Sequence, residues 1–140
     1  MIYLDTSVVV PLLVPEPRTA DAKAWYARLE EVPVGSDWLL SEFASAIAIK
    51  VRRGDLTDAT AKLVYKEFDL LAAGGLRVIP VSRAAFREAA HLARQHRHGL
   101  RAADALHLAV ALEAGANSIA TLDAIMASNA TRMKLKVEAI

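Results

Sequence analysis

Short runs of apolar, often β-branched residues alternate with longer stretches of helical periodicity along the whole chain. This alternation is typical of βαβ units, in which the strands form a parallel sheet and the helices cover its two faces. We therefore predict an α/β fold with three layers, α/β/α, around a mainly parallel sheet. The predicted strands are MIYL (1–4), a brief strand and turn in PVGSD (33–37), LRVIPV (76–81), NSIATLD (117–123) and KLKVEAI (134–140).

Capping and turn residues mark where the predicted helices begin and end. Gly54 and Gly115 are expected to end two of them, the second being the strongly apolar stretch RAADALHLAVAL. With no internal repeat and no linker, residues 1–140 are predicted to form a single domain. The predicted helices run from the first strand to Pro15, over 18–31, 38–53, 57–73, 82–94 and 101–114, and between Asp123 and the last strand.

The composition limits the classes of function. With 17 Lys and Arg against 16 Asp and Glu, the net charge is +1, so a polyanion would have to be bound by a local cluster of basic residues. The chain contains no cysteine, which excludes disulfides, thiolate nucleophiles and cysteine-bound zinc. Neither a signal peptide nor a membrane-spanning apolar run is evident, so we expect a cytoplasmic protein with no membrane partner.

Four acidic residues occupy positions from which they could face one crevice. Asp5 ends the first predicted strand and Asp123 ends the fourth, while Glu42 and Asp104 lie in the first turns of predicted helices. In an open parallel sheet, ligands bind beyond the carboxyl ends of the strands, where loops and helix N-termini converge. We therefore treat these four acids as one candidate catalytic set.

Each of these acids also has an ordinary structural explanation. Asp5 and Asp123 are good N-cap residues, and Glu42 could be a solvated side chain that interacts with its helix dipole. Asp104 lies among alanine and leucine residues, so in a buried position it would need a partner. Arg101, three residues earlier, is the candidate for an ion pair with it.

Taken together, the four carboxylates indicate a metal ion. Acids brought close together without a cation repel one another, and some would have to remain protonated at neutral pH. Oxygen ligands favour Mg²⁺ or Mn²⁺ over zinc, and Mg²⁺ commonly uses one or two carboxylates together with substrate phosphate. The pattern therefore predicts metal-assisted hydrolysis of a phosphodiester.

The chain resembles PIN-domain nucleases, in particular the VapC-type ribonuclease toxins of prokaryotic toxin–antitoxin pairs. The resemblance covers essentially the whole chain, through YLDTS, SEFASAI, RAADALHLAVALEAG and ATLD in the family's order and spacing. It implies a PIN-like fold with an acidic metal site. The residues assigned to that site are Asp5, Glu42, Asp104 and Asp123, supported by the hydroxyl group of Thr6 or Ser7.

The same resemblance implies a mechanism. RNA would be cut endonucleolytically by a metal-activated water, leaving a 5′-phosphate and a 3′-hydroxyl, with Mg²⁺ as the cofactor and Mn²⁺ as a substitute. Asp5 and Asp104 would be the main metal ligands, and Asp123 a ligand of the same or a second ion. Glu42 would be a further ligand or a base that orients water. The segment AIMASNA after Asp123 offers no further carboxylate, which argues against a second ion.

Partners are also implied by the resemblance. The RNA substrate is expected to contact Thr6, Ser7 and Arg101. Two protein partners are expected, namely a second copy that forms a homodimer and a small antitoxin that occludes the RNA-binding groove. The apolar pattern LVYKEFDLLAAGG (63–75) offers surface for an oligomer interface.

Several other residues keep two interpretations. His107, three residues after Asp104, could touch the substrate or be a hydrogen-bonded core residue. The basic clusters KVRR (50–53) and RQHRH (94–98) could contact RNA phosphates or belong to the solvated surface. Trp25 and Trp38 are expected to pack in the core or in an interface rather than stack on bases.

Two rival functions remain. A haloacid-dehalogenase-like phosphatase also places an Asp after its first strand and uses Mg²⁺, but it needs a second Asp two residues later, where this chain has Ser7. A PIN-like module that binds RNA or protein without cutting would not need all four acids.

Overall fold

Five parallel strands form the central sheet of the computed structural model, which describes residues 1–140. The order across the sheet is β3-β2-β1-β4-β5, and every neighbouring pair is parallel. The predicted α/β fold with a parallel sheet is confirmed, and β1 lies at its centre. The strands are β1 (Ile2–Leu4), β2 (Val34–Ser36), β3 (Arg77–Ile79), β4 (Ser118–Ala120) and β5 (Lys136–Val137).

Seven α-helices connect these strands, and none of them is long and apolar enough to cross a lipid bilayer. They begin and end close to the predicted capping residues, with Gly54 and Gly115 in the left-handed conformation that favours glycine. The helices are α1 (Thr6–Leu13), α2 (Thr19–Tyr26), α3 (Asp37–Arg53), α4 (Asp58–Leu70), α5 (Arg83–Arg94), α6 (Ala102–Glu113) and α7 (Ala124–Arg132).

Two helices are shorter than predicted, and one contact links their ends. Helix α2 was predicted to reach residue 31 but ends at Tyr26, and α4 was predicted to reach 73 but gives way to a π-helical turn over Leu71–Gly75. The Tyr26 hydroxyl donates a 2.6 Å hydrogen bond to the Gly75 carbonyl, and a Cβ at Gly75 would lie 2.5 Å from that hydroxyl. This tertiary contact joins the end of α2 to the end of the π-helical turn, and periodicity alone does not reveal it.

The sheet divides the core into two layers, because consecutive residues of a strand point to opposite faces. Tyr3 belongs to the apolar cluster that packs under α5, α6 and α7, whereas Leu4 belongs to the cluster under α1, α3 and α4. Ile119 and Ala120 divide in the same way in β4. The alternation in the two central strands therefore produces the predicted three layers.

Helices α5 and α6 form an antiparallel hairpin on one face of the sheet. The Ser82 hydroxyl accepts a 2.9 Å hydrogen bond from the Ala85 N–H, which caps the start of α5. The same hydroxyl lies 2.7 Å from Oε1 of Glu113, at the end of α6. The end of α5 therefore lies beside the start of α6, whose residues 105–111 are all buried.

We expect Phe68→Ala to lower the free energy of unfolding by about 3–5 kcal/mol, as measured by urea denaturation. Phe68 is 6% exposed, and its ring stacks on Phe43 with centroids 4.1 Å apart. The matched control is Leu63→Ala on the same helix, where the side chain is 61% exposed and the expected change is within about 0.5 kcal/mol. Equal losses in the two variants would contradict this assignment of the α4 faces.

Candidate active site

All four predicted acids line one pocket of about 250 Å³ at the carboxyl edge of the sheet. Neighbouring strands β1 and β4 end at this edge, which brings Asp5 and Asp123 to it. Glu42 reaches the pocket from the second turn of α3, and Asp104 reaches it from the first turn of α6. The polar lining is completed by Thr6, Ser7 and His107.

Asp5 is almost completely buried and is held by three hydrogen bonds. Its Oδ1 accepts bonds from the Ser7 backbone N–H at 2.7 Å and from the Ser7 hydroxyl at 2.6 Å, and its Oδ2 accepts one from the Thr121 hydroxyl at 2.7 Å. Burial raises the pKa of Asp5 above its ordinary value, although the nearby His107 and these hydrogen bonds act in the opposite direction. Asp5 therefore N-caps α1 and also faces the pocket.

Glu42 is held through one of its two carboxylate oxygens. Its Oε2 accepts a 2.7 Å hydrogen bond from Nε2 of His107 and a second bond from the Thr6 hydroxyl, while Oε1 accepts none from the protein. Burial raises the pKa of Glu42, but the hydrogen bond and charge of His107 and the bond from Thr6 outweigh it, so the pKa lies below its ordinary value. Glu42 therefore presents an ionised oxygen to the pocket.

His107 connects Glu42 to the interior of the sheet. The ring is 1% exposed, and its Nδ1 lies 2.9 Å from the Tyr3 hydroxyl, which in turn lies 2.9 Å from the Ser36 hydroxyl. Because Nε2 faces the Glu42 carboxylate, a neutral ring carries its proton on Nε2. Its Nδ1 then accepts a hydrogen bond from the Tyr3 hydroxyl. His107 is thus the hydrogen-bonded core residue of one interpretation, and it also holds a pocket carboxylate.

Asp123 and Asp104 are the two less constrained acids. Oδ1 of Asp123 caps α7 by accepting a 2.7 Å hydrogen bond from the Met126 N–H. Burial and the charges of Asp123, Glu42 and Asp5 raise the pKa of the half-buried Asp104 above its ordinary value, against a hydrogen bond from the backbone of Arg101. Unscreened negative charge therefore accumulates around Asp104.

The alternative of an Arg101–Asp104 ion pair is not found. None of the five ion pairs in the structure involves either residue. Arg101 is exposed and does not line the pocket. It is the N-cap residue of α6 and has an extended backbone, so it does not lie on the helical face that carries Asp104. Its predicted contact with substrate would have to be made at the rim.

The donor set fits a divalent cation with few protein ligands. No three acidic or histidine side chains of residues 1–140 are arranged to hold one metal ion by themselves. Mg²⁺ is compatible with this arrangement, because it commonly takes one or two carboxylates and keeps several waters. Asp5 has about one lone-pair direction free after its three hydrogen bonds, and Asp104 has a carboxyl group whose ionised form a cation would stabilise.

Sequence reasoning missed three hydroxyl groups that hold this site. Thr121 donates to Asp5, and Tyr3 and Ser36 support His107. The only available signal was position, because Thr121 lies two residues before Asp123 and Ser36 ends a predicted strand.

The two tryptophans pack as expected. Trp25 is buried in the core layer under α1, α3 and α4, and Trp38 packs against the opposite layer.

Comparison with known proteins agrees with the fold. The PIN domain family matches residues 2–131 of the chain. Two similar proteins are ribonuclease VapC45 and ribonuclease VapC49, both from Mycobacterium tuberculosis. Each is 31% identical over 115 residues, which is 82% of this chain and 77% of the relative.

Solved structures share the fold. VapC20 from Mycobacterium tuberculosis, a toxin that cleaves the sarcin-ricin loop, has a TM-score of 0.75 at 21% identity and covers 92% of this chain and 95% of its own. FitAcB from Neisseria gonorrhoeae has a TM-score of 0.75 at 24% identity, with 99% and 97% covered. VapBC2 from Rickettsia felis, bound to DNA from its promoter, has a TM-score of 0.67 at 16% identity, with 99% and 98% covered.

These likenesses cover nearly the whole chain, including all four segments that supply the pocket acids. The chain therefore belongs to the PIN domain family and, within it, to the VapC-type ribonucleases.

Proposed function

We propose that the protein is a metal-dependent endoribonuclease that acts as the toxin of a toxin–antitoxin pair in the cytoplasm. The observation that carries this proposal is the convergence of four acids, from four separate segments of the chain, in one pocket. The names of the related ribonucleases support RNA as the substrate. The reaction would be hydrolysis of a phosphodiester to a 5′-phosphate and a 3′-hydroxyl.

Mg²⁺, or Mn²⁺ in its place, would be held directly by Asp5 and Asp104, and Asp123 would be reached through one of the waters that complete the coordination. A cation bound there would supply a nucleophilic hydroxide from its bound water and would offset charge on the scissile phosphate. The three carboxylates enter from the ends of β1 and β4 and from α6, so one rigid edge of the sheet sets their positions.

Glu42 would orient the attacking water through its free Oε1, because Oε2 is already occupied by His107 and Thr6. The hydroxyl groups of Thr6 and Ser7 donate hydrogen bonds to Glu42 and Asp5, respectively, so we assign them first to positioning these carboxylates. Their oxygens remain acceptors, and a contact with the substrate, like that of Arg101, stays a prediction.

Two protein partners are proposed, a second copy of this chain and a small antitoxin. Exposed apolar side chains in two separate places support two interfaces. On α4, Leu63 and Leu70 are exposed, seven residues apart on one face. Between α3, α5 and α6, an apolar pocket of about 270 Å³ includes Trp38 and the exposed Phe86.

The direct test is cleavage of total cellular RNA by the purified, partner-free protein in Mg²⁺, Mn²⁺ or chelator, with mapping of new 5′ ends. We expect metal-dependent cuts at a few discrete sites, and loss of these cuts in Asp104→Asn. Equal cutting by this variant would expose a contaminant or a wrong site assignment. No cutting under any condition would favour the non-catalytic binding module.

Asp104→Asn is also expected to raise the Tm of the metal-free protein at pH 7.5, by about 2 °C, because it removes a charge that burial and the charges of Asp123, Glu42 and Asp5 disfavour. A carboxyl whose pKa is raised in the folded state loses stability as pH rises through that pKa. The difference should therefore shrink as pH falls and vanish below about pH 3, where folded and unfolded wild type both approach full protonation of Asp104. Calorimetry across this pH range measures the difference in Tm. A lower Tm of the variant than of wild type at pH 7.5 would contradict the claim that the ionised form of Asp104 is disfavoured in the folded protein.

His107→Leu is expected to lower kcat by about 10–100-fold with little change in KM, because Glu42 would lose the donor that fixes its carboxylate. His107→Gln is the matched control, since its side-chain amide can donate to Glu42 and should restore part of the rate. Steady-state cleavage kinetics and Tm are measured for both variants. A His107→Leu enzyme that folds and keeps the kcat of wild type would overturn the positioning role.

A further inference from the structure

The positive charge of the chain is concentrated in one stretch. Residues 83–101 contain five arginines and a single acid, Glu88, whereas the whole chain has 17 basic and 16 acidic residues. No arginine in the stretch takes part in any of the five ion pairs, and all of these arginines are exposed. We call them the arginine row: Arg83, Arg87, Arg94, Arg97 and Arg101.

The first three members of the arginine row share one face of α5. Arg83, Arg87 and Arg94 are separated by four and seven residues, close to one and two turns of an α-helix. The buried residues of the helix, Ala85 and Leu92 among them, lie on the opposite face. The row therefore extends for about 17 Å along the solvent side of α5.

The arginine row leads towards the acidic pocket. The Ser82–Glu113 hydrogen bond places the start of α5 beside the end of α6, so the end of α5 lies beside the first turn of α6, which carries Asp104. Arg101 is the N-cap residue of α6, less than one turn before Asp104. The row thus begins far from the pocket and ends at its rim.

The turn that joins α5 to α6 is held against α7. Gly99 has a φ of 70°, and the side chain of Asn129 donates a 2.9 Å hydrogen bond to the carbonyl of His98. Leu100 is buried in the core together with Met126, another residue of α7 that lines the pocket. Arg97 and Arg101 are therefore presented by a backbone that is held against α7, next to the first turn of α6, which carries Asp104.

We propose that the phosphate backbone of the RNA substrate binds along the arginine row on its way into the acidic pocket. This inference rests on the proposed ribonuclease function and adds the surface that binds the substrate. A pocket lined by four carboxylates repels a polyanion, and unpaired guanidinium groups beside it would offset that repulsion with bidentate contacts to phosphate. RNA is favoured over an acidic peptide because the row leads to the pocket that is proposed to hydrolyse a phosphodiester.

The test compares two double variants that remove the same charge. Arg94→Ala/Arg97→Ala removes the part of the row nearest the turn. Arg52→Ala/Arg53→Ala is the control, since these two arginines are also exposed and unpaired, at the end of α3, about 15 Å along the helix from Glu42. The probe is a fluorescein-labelled, 20-nucleotide single-stranded RNA of mixed sequence. Its binding to the full chain is followed by fluorescence anisotropy in chelator, at salt concentrations from 50 to 200 mM, and Tm verifies the fold of each variant.

We expect Arg94→Ala/Arg97→Ala to bind this RNA about 10-fold more weakly at low salt. The slope of log affinity against log salt concentration should be smaller in magnitude by about 1.4 for this variant, because two phosphate contacts are lost. The control pair should change the affinity by no more than about 2-fold. Equal losses of affinity in both double variants would show that only net charge matters and would contradict the proposal. Binding of the RNA by Arg94→Ala/Arg97→Ala with the affinity of wild type would also overturn it. Stronger competition by poly-glutamate than by unlabelled RNA would overturn it in favour of a protein partner.

Failure of this inference is distinguishable from failure of the ribonuclease proposal. If wild type binds the RNA through the row but never cleaves RNA in Mg²⁺, the binding surface stands and the catalytic assignment fails. If wild type cleaves RNA and the row variant has the same KM, the catalytic assignment stands and the row is wrong.

Discussion

Repulsion among four carboxylates at one edge of a parallel sheet is the constraint to which the rest of the site responds. Asp5 and Asp123 are restrained by capping the helices that follow them, and Glu42 is restrained by His107 and Thr6. Asp104 lacks a neutralising partner, and its pKa is raised. The fold therefore holds together a charge distribution that a bound divalent cation would relieve, which is why the metal-dependent reading of the pocket is preferred.

The core and the site are connected through β1. Tyr3 packs in the layer under α5, α6 and α7. Its hydroxyl group is hydrogen-bonded to His107, which in turn is hydrogen-bonded to Glu42. Leu4 packs in the opposite layer, and Asp5 follows directly at the pocket. Consecutive residues of one short strand thus serve both core layers and the site. Substitutions in β1 consequently affect folding and the position of the carboxylates together.

The sequence predicted the sheet, its flanking helices and the convergence of the acids, because periodicity, caps and strand ends are local features. It did not predict the support from Thr121 or Ser36, since those hydrogen bonds depend on the alignment of β1 with its neighbours. The sequence also did not predict where α2 and α4 end, nor the contact between Tyr26 and Gly75 that joins this part of the chain. The family resemblance named the four acids and a supporting hydroxyl group of Thr6 or Ser7, but not the hydroxyl groups of Thr121, Tyr3 and Ser36.

The central claim is that the pocket shared by the four acids binds a divalent cation through one or two of their carboxylates. The most direct measurement is an anomalous difference map, recorded at the manganese absorption edge, from crystals of the full chain soaked in Mn²⁺. The account predicts a peak inside the pocket at ligand distance from Asp104 and at least one further carboxylate of the set. Ordered acidic side chains with no peak between them, or peaks confined to the outer surface, would contradict it.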